Sequence, residues 1–212
     1  MVRILYLHGF ASSPRSRKAA FFKEQLDRQG IDLYTPDLAV GDFRNLTLTG
    51  QLKAVEREAG EEPVLLVGSS LGGYLAALYA ARHREVAGLI LLAPAFRFRG
   101  RWAEVMGAED FARWKQTGET LVYHYGENRE VPLGYQLMQD AEAYEDFPDF
   151  DQPCLIFHGT GDTVVPIQYS EDFAGRHPNV ELVTLQSGHK MTDVLGNIWA
   201  KAWPRLAQAT GR

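Results

Sequence analysis

Six short apolar runs recur along this chain, at residues 2–7, 32–35, 63–67, 87–93, 154–157 and 181–185, with turn residues closing each. Between them lie stretches of helical periodicity at 16–29, 48–59, 71–82, 167–175 and 193–209. In the first of these, Ala19, Phe21, Phe22 and Leu26 fall on one stripe, and Gly30 stands where a helix C-terminus favours glycine. Three of the six runs are almost wholly apolar, as interior strands covered on both faces are. Such alternation with short connections leaves few architectures open. It predicts an α/β three-layer fold, a mostly parallel sheet of about six strands flanked by helices and joined by right-handed crossovers. With 212 residues, 45% apolar and 23% charged, the chain can bury one such core with a preformed pocket; disordered and collagen-like classes are excluded.

The rhythm breaks once. Between Pro94 and Gln152 nearly 60 residues pass without a clear sheet strand, far beyond an ordinary connection. Helical patches at 102–116 and 133–144 are expected there, with a hairpin through 122–131 turning at Gly126-Glu127-Asn128. The expected organisation is a core of residues 1–94 and 151–212 with an insert at 95–150, after the fourth strand. That insert holds 11 of the chain's 24 aromatic residues, which suits a lid over an apolar pocket. Two other uses stay open: an excursion that packs its own aromatics, or a dimer face.

The chemistry is concentrated at three strand ends. Gly68-Ser69-Ser70-Leu71-Gly72 fits G-x-S-x-G, follows the apolar run at 63–67 and opens the helix pattern at 71–82. A strand-turn-helix of this kind is a nucleophile elbow. The tight turn lifts the Ser70 hydroxyl clear of the sheet, and glycines at −2 and +2 let neighbouring backbone approach it. Ser69 competes for the role, but only Ser70 has glycine on both sides at that spacing. A serine needs a base, and the base needs an orienting carboxylate. Asp162, in His158-Gly-Thr-Gly-Asp-Thr-Val-Val-Pro166, follows the fifth run, and His189, in Ser187-Gly-His-Lys190, follows the sixth. All three candidates lie past strand C-termini, where open parallel sheets gather their functional residues. Asp193 is a rival acid, expected instead to cap or start the last helix.

With these motifs the chain resembles the α/β-hydrolase family over most of its length. The opening Leu7-His-Gly-Phe-Ala-Ser-Ser-Pro14 makes it similar to the small YqiA-like bacterial esterases. The resemblance implies Ser70 as nucleophile, His189 as general base and Asp162 as its orienter. It also implies an oxyanion hole from the backbone N–H groups of Phe10 and Leu71, and the absence of two strands that precede this turn in longer hydrolases. The expected activity is a serine carboxylesterase acting on short- to medium-chain esters through an acyl-enzyme. An acyl-CoA thioesterase or small-peptide hydrolase with the same triad is the rival, and a non-catalytic ligand-binding member of the fold is the alternative from another class. Ser12, Phe96 and Trp102 are the candidate substrate contacts. Ser12 and Ser13 also read as caps of the first helix.

The remaining composition narrows partners. Twenty-two basic against 27 acidic residues give a formal net charge of −5, which disfavours nucleic acid or an anionic membrane as partner. Cys154 is the sole cysteine and sits in an apolar run, so no disulfide or cysteine-rich zinc site arises; no metal spacing occurs, and no metal or organic cofactor is expected. The partner is a small-molecule ester or thioester, and oligomeric state is left open. A short apolar N-terminus and the lack of an 18-residue apolar stretch lead to the expectation of a soluble cytoplasmic protein. His8 and His158 are expected to brace the first turn and the acid loop, and Asp37 to hold a turn. Arg97, Arg99, Arg101, Arg113 and Arg129 either serve an anionic acyl carrier such as coenzyme A or pair with Glu104, Glu109 and Asp110 on a solvated face.

Overall fold

A computed structural model describes residues 2–39 and 41–212. Six strands form one sheet: β1 (Arg3–Leu7), β2 (Leu33–Tyr34), β3 (Val64–Ser69), β4 (Val86–Leu92), β7 (Cys154–Gly159) and β8 (Val180–Leu185). Their order is β2-β1-β3-β4-β7-β8, and every pairing is parallel. The near-continuous apolar runs have the expected cause. Along β1, Leu5 and Leu7 enter one core while Ile4 and Tyr6 enter the other. The same alternation divides Leu66 from Val67 in β3, Leu91 from Leu92 in β4, and Ile156 from Phe157 in β7. A strand buried on both faces leaves little room for polar side chains, and in β3 and β7 they occur only near the strand C-termini, at Ser69 and His158.

Helices α1 (Arg17–Asp27) and α8 (Leu195–Thr210) close one face, contributing Phe22, Leu26, Ile198, Ala202 and Leu206. The other face carries α2 (Leu48–Ala59), α3 (Leu71–Ala80) and α7 (Ile167–Arg176). Local sequence sets their ends. Ser16 caps α1 by accepting from Ala19 N at 3.3 Å, and Thr47 caps α2 by accepting from Gly50 N at 3.0 Å. Helix α3 is buried at all ten positions, because the sheet lies beneath it and the insert lies over it. An amphipathic helix would leave polar groups stranded there.

The insert differs from the expected outline. One helical patch at 102–116 is in fact two helices, α4 (Phe98–Met106) and α5 (Ala108–Thr117). They break at Gly107, whose φ of 82° lies in the left-handed region that glycine adopts without strain. The hairpin is longer than 122–131: β5 (Glu119–His124) pairs antiparallel with β6 (Arg129–Gly134). The patch at 133–144 consequently shortens to α6 (Gln136–Asp140) and one 3₁₀ turn. Apart from Tyr123 and Tyr125, its aromatics join the main core instead of forming a separate one. Trp114 is buried with its indole N–H on the Leu133 carbonyl at 3.1 Å, and Tyr74 of α3 stacks on Phe98.

Candidate active site

The chain runs from β1 to β2 and then back across β1 to β3, so the strand order reverses beside β1. A crevice opens at the carboxyl ends of the strands on either side of such a reversal. Here it is a cleft of about 1130 Å³ that includes Phe10 after β1, Ser70 after β3, Val164 after β7 and His189 after β8.

Ser70 lies between β3 and α3 with φ 54° and ψ −118°, a conformation costing a non-glycine residue roughly 1–3 kcal/mol. The surroundings hold it. Its N–H donates to Leu92 O at 2.9 Å, and its carbonyl accepts from the N–H of Gly73, Tyr74 and Ala95. A Cβ on Gly68 would overlap Gly72 O, and one on Gly72 would overlap Leu7 O. Both positions therefore favour glycine because backbone lies against backbone, within the elbow at Gly68 and between the elbow and the end of β1 at Gly72.

The loops after β7 and β8 are sewn together beyond the sheet. Thr160 N donates to Leu185 O at 2.8 Å and Gly161 N to Ser187 O at 3.0 Å. This brings Asp162 against His189, with Oδ2 2.7 Å from Nδ1, while Nε2 of the same ring lies 3.1 Å from Ser70 Oγ. A carboxylate only accepts, so Nδ1 carries the proton and Nε2 presents its lone pair to the serine hydroxyl. The Asp162 side chain is fully buried and receives four donors. Val164 N and Val165 N reach Oδ1 at 2.8 and 2.9 Å; His189 Nδ1 and His158 Nε2 reach Oδ2, the latter at 3.2 Å. Burial disfavours its charge, but the hydrogen bonds from His158 and His189 and the Val165 N–H outweigh that and hold the carboxyl well below the usual range.

His158 is wholly buried. Its Nε2 faces two acceptors, Asp162 Oδ2 and the Val165 carbonyl at 3.0 Å, so that nitrogen is protonated, and Nδ1 meets Ser170 Oγ at 2.8 Å. His8 ties the turn after β1 to the chain after β2: Nδ1–H donates to Gly9 O at 3.0 Å and Nε2 accepts from Leu38 N at 3.2 Å. Burial lowers its pKa and keeps that ring neutral. Leu71 is the first residue of α3, so its N–H has no acceptor within the helix. Among the described residues neither that N–H nor the N–H of Phe10 meets an acceptor.

The other expectations divide. Trp102 and Ser12 line the cleft. Phe96 does not: it is wholly buried, stacked 4.5 Å from Phe173 and packed on Phe147, so it belongs to the core. The N-cap of α1 is Ser16, and the Ser13 hydroxyl accepts from Arg15 N instead of capping the helix. Asp193 neither reaches His189 nor caps α8; its Oδ1 accepts from Ser187 Oγ at 2.6 Å, bracing the loop that carries His189. Asp37 holds its turn through Ala39 N, and Cys154 is buried, which pushes its thiol pKa up. The insert arginines pair with carboxylates: Arg97 and Arg101 with Glu104, Arg99 with Glu142, Arg113 with Asp110 and Arg129 with Glu127.

Sequence reasoning missed two parts of the cleft. One is the hairpin tip, where Tyr125 N donates to Ala11 O at 2.8 Å and Tyr123 and Tyr125 line the opening. The other is Lys18 of α1, whose Nζ donates to the Lys190 carbonyl at 3.1 Å beside His189. Tip aromatics were visible as composition; nothing local marked Lys18.

Among the described residues no helix is long and apolar enough to cross a membrane. The mouse mitochondrial palmitoyl-protein thioesterase ABHD10 is 28% identical over 90% of this chain and 69% of its own length. The solved structure of mouse alpha/beta hydrolase domain-containing protein 10 superposes with a TM-score of 0.81 at 24% identity, covering 97% of this chain and 89% of that one. Est1E from Butyrivibrio proteoclasticus, solved with ferulic acid, gives 0.74 at 22% identity, covering 100% and 90%. At such identities the solved structures share the fold. Its architecture is the α/β-hydrolase fold that these structures share, and the model of the Uncharacterised protein family (UPF0227) matches residues 3–202, so the chain belongs to that family.

Proposed function

We propose that this chain is a serine hydrolase that cleaves short- to medium-chain carboxylic esters through an acyl-enzyme on Ser70. One observation carries the reading: an unbroken hydrogen-bonded line from Ser70 Oγ through both nitrogens of His189 to Asp162, at 3.1 and 2.7 Å. In the first half-reaction His189 Nε2 takes the serine proton as Oγ attacks the substrate carbonyl carbon. The oxyanion that forms accepts from the N–H groups of Phe10 and Leu71, and the end of α3 supplies a favourable dipole. His189 returns the proton to the leaving alcohol, the C–O bond breaks, and the acyl group stays on Ser70. Water then repeats the sequence, with His189 as base and Ser70 as leaving group. Asp162 stabilises the imidazolium at each stage and is never protonated.

The insert at 95–150 serves in this reading as a lid on the core of 1–94 and 151–212. Trp102, Val122, Tyr123 and Tyr125 give the cleft its apolar wall. Esters are favoured over amides because a leaving alcohol asks less of the general acid than an amine. Thioesters are the second reading, supported by the name of the mouse relative as a palmitoyl-protein thioesterase.

A panel of p-nitrophenyl esters from acetate to decanoate, run beside acyl-CoA thioesters, tests both. Turnover of the shorter esters, lost by about 10⁶ in Ser70→Ala, is expected. Turnover confined to long acyl thioesters would replace the first reading with the second. No turnover of any, with equal residual rates in Ser70→Ala, would contradict both.

A further inference from the structure

The cleft is basic on one side although the chain as a whole is acidic. Arg15, Arg17, Lys18 and Lys190 all line it, and among the described residues none of the four lies within ion-pair distance of a carboxylate. This sets them apart from the insert arginines, which each have a carboxylate partner. The acidic groups nearby are Asp193, which accepts from Ser187, and Asp162, buried beneath His189. Lys190 follows His189 directly and sits over the Tyr125 ring at 5.9 Å; Lys18 is half-buried and held against the Lys190 carbonyl. A lysine placed this way loses hydration with no carboxylate at ion-pair distance to offset the loss. Burial pushes its pKa down to about 8, against the pull of Asp162.

The side of the reaction follows from geometry. The leaving-group atom must lie within reach of His189 Nε2, which protonates it. Lys190 is the next residue along that loop and Lys18 holds its carbonyl, so both cations stand beside His189, the group that protonates the leaving atom. Ser12, Ser13 and Ser16, from the turn after β1, line the cleft as well and add hydroxyl groups to it.

We propose that the cleft selects substrates whose leaving alcohol or thiol carries an anion, a carboxylate or a phosphate, received by Lys18, Lys190, Arg15 and Arg17. This rests on the hydrolase reading of the same site and names its substrate class. The bond broken remains the acyl C–O or C–S bond; the anion is bound and is not chemically changed.

Three esters with one acyl group test it: phenyl butyrate, 4-carboxyphenyl butyrate and 4-phosphonooxyphenyl butyrate, each rate normalised to alkaline hydrolysis. At low salt at least one anionic ester should exceed the neutral one in kcat/KM by about tenfold, the scale of one well-placed charge pair. That ratio should fall toward unity in 0.5 M NaCl. It should also fall about fivefold in Lys18→Gln and in the exposed Lys190→Gln. The ratio cancels any general loss of folding or rate in either variant. Whichever anion is preferred distinguishes a carboxylate from a phosphate source. Ser70-dependent turnover with a ratio at or below one would overturn the anion reading and leave the hydrolase standing. Absence of Ser70-dependent turnover on all three would overturn both.

Discussion

Ser70 and its glycine neighbours show how little freedom the elbow has. Gly72→Ala would drive a methyl group into the Leu7 carbonyl, a backbone atom that cannot rotate away. Overpacking of this kind costs about 1–3 kcal/mol, so a fall in Tm of roughly 3–10 °C is expected by calorimetry. A wild-type Tm would show that the turn after β1 yields more easily than its contacts imply. Asp162→Asn acts on charge and tautomer together. An amide NH₂ facing His189 would make Nδ1 the acceptor and move the ring proton to Nε2, where it blocks attack. We expect kcat to drop by about 10⁴, whereas Asp193→Asn, which keeps an oxygen to accept from Ser187, leaves kcat within severalfold; the reverse ranking in steady-state assays would move the acid. The same carboxylate links pH to stability. Its folded pKa is depressed, so its contribution is present above the unfolded value of about 3.9 and is lost as pH falls through the folded value. The Tm gap between wild type and Asp162→Asn should therefore narrow only below about pH 4, and a gap that closes already between pH 7 and 5 would contradict the depressed pKa. These residues were legible because the serine, acid and histidine each carry local punctuation: a glycine pair, a strand ending at Phe157, a strand ending at Leu185. Phe96 had no such marker, and its aromatic character fitted core and pocket equally well.

At the level of elements, sheet strands were readable because burial on both faces leaves a nearly unbroken apolar run, while the insert was not. Its helical periodicity runs straight through Gly107, and only the positive φ there separates α4 from α5. Pro132 in β6 hides the hairpin further, since proline fits only a strand position with no ladder donor to supply. The hairpin tip then makes a contact that no periodicity encodes, the pair of N–H groups from Tyr125 and Gly126 on Ala11 O. Ala11 follows Phe10 and has φ 51°, so the tip supports the strained turn that would present the Phe10 N–H. In Gly126→Val the new Cβ would stand 3.2 Å from Ser13 Cβ and 3.1 Å from the His124 ring, pressing on both. If the insert covers substrate, KM for butyrate esters should rise severalfold in this variant with Tm within a few degrees of wild type. An unchanged KM and acyl-length profile would argue against a lid.

Across the whole molecule, the proposed function depends on convergence from segments far apart in sequence. Phe10, Ser70, Asp162 and His189 follow β1, β3, β7 and β8, and meet because an all-parallel sheet puts its strand C-termini on one edge. That edge was foreseeable from the strand-helix alternation. The basic side of the cleft was not, since Arg15, Arg17, Lys18 and Lys190 look like ordinary surface residues until α1 and the loop after β8 are brought together. The net charge of −5 pointed the other way, because a sum over the chain carries no information about where charge is left unpaired. The central claim is that one hydroxyl, and not its neighbour Ser69, is activated by His189. Peptide mapping after reaction with a fluorophosphonate tests it most directly. The account predicts one stoichiometric adduct on Ser70, abolished in Ser70→Ala and slowed by several orders of magnitude in His189→Ala at near wild-type Tm. An adduct on Ser69, or labelling indifferent to His189, would contradict it.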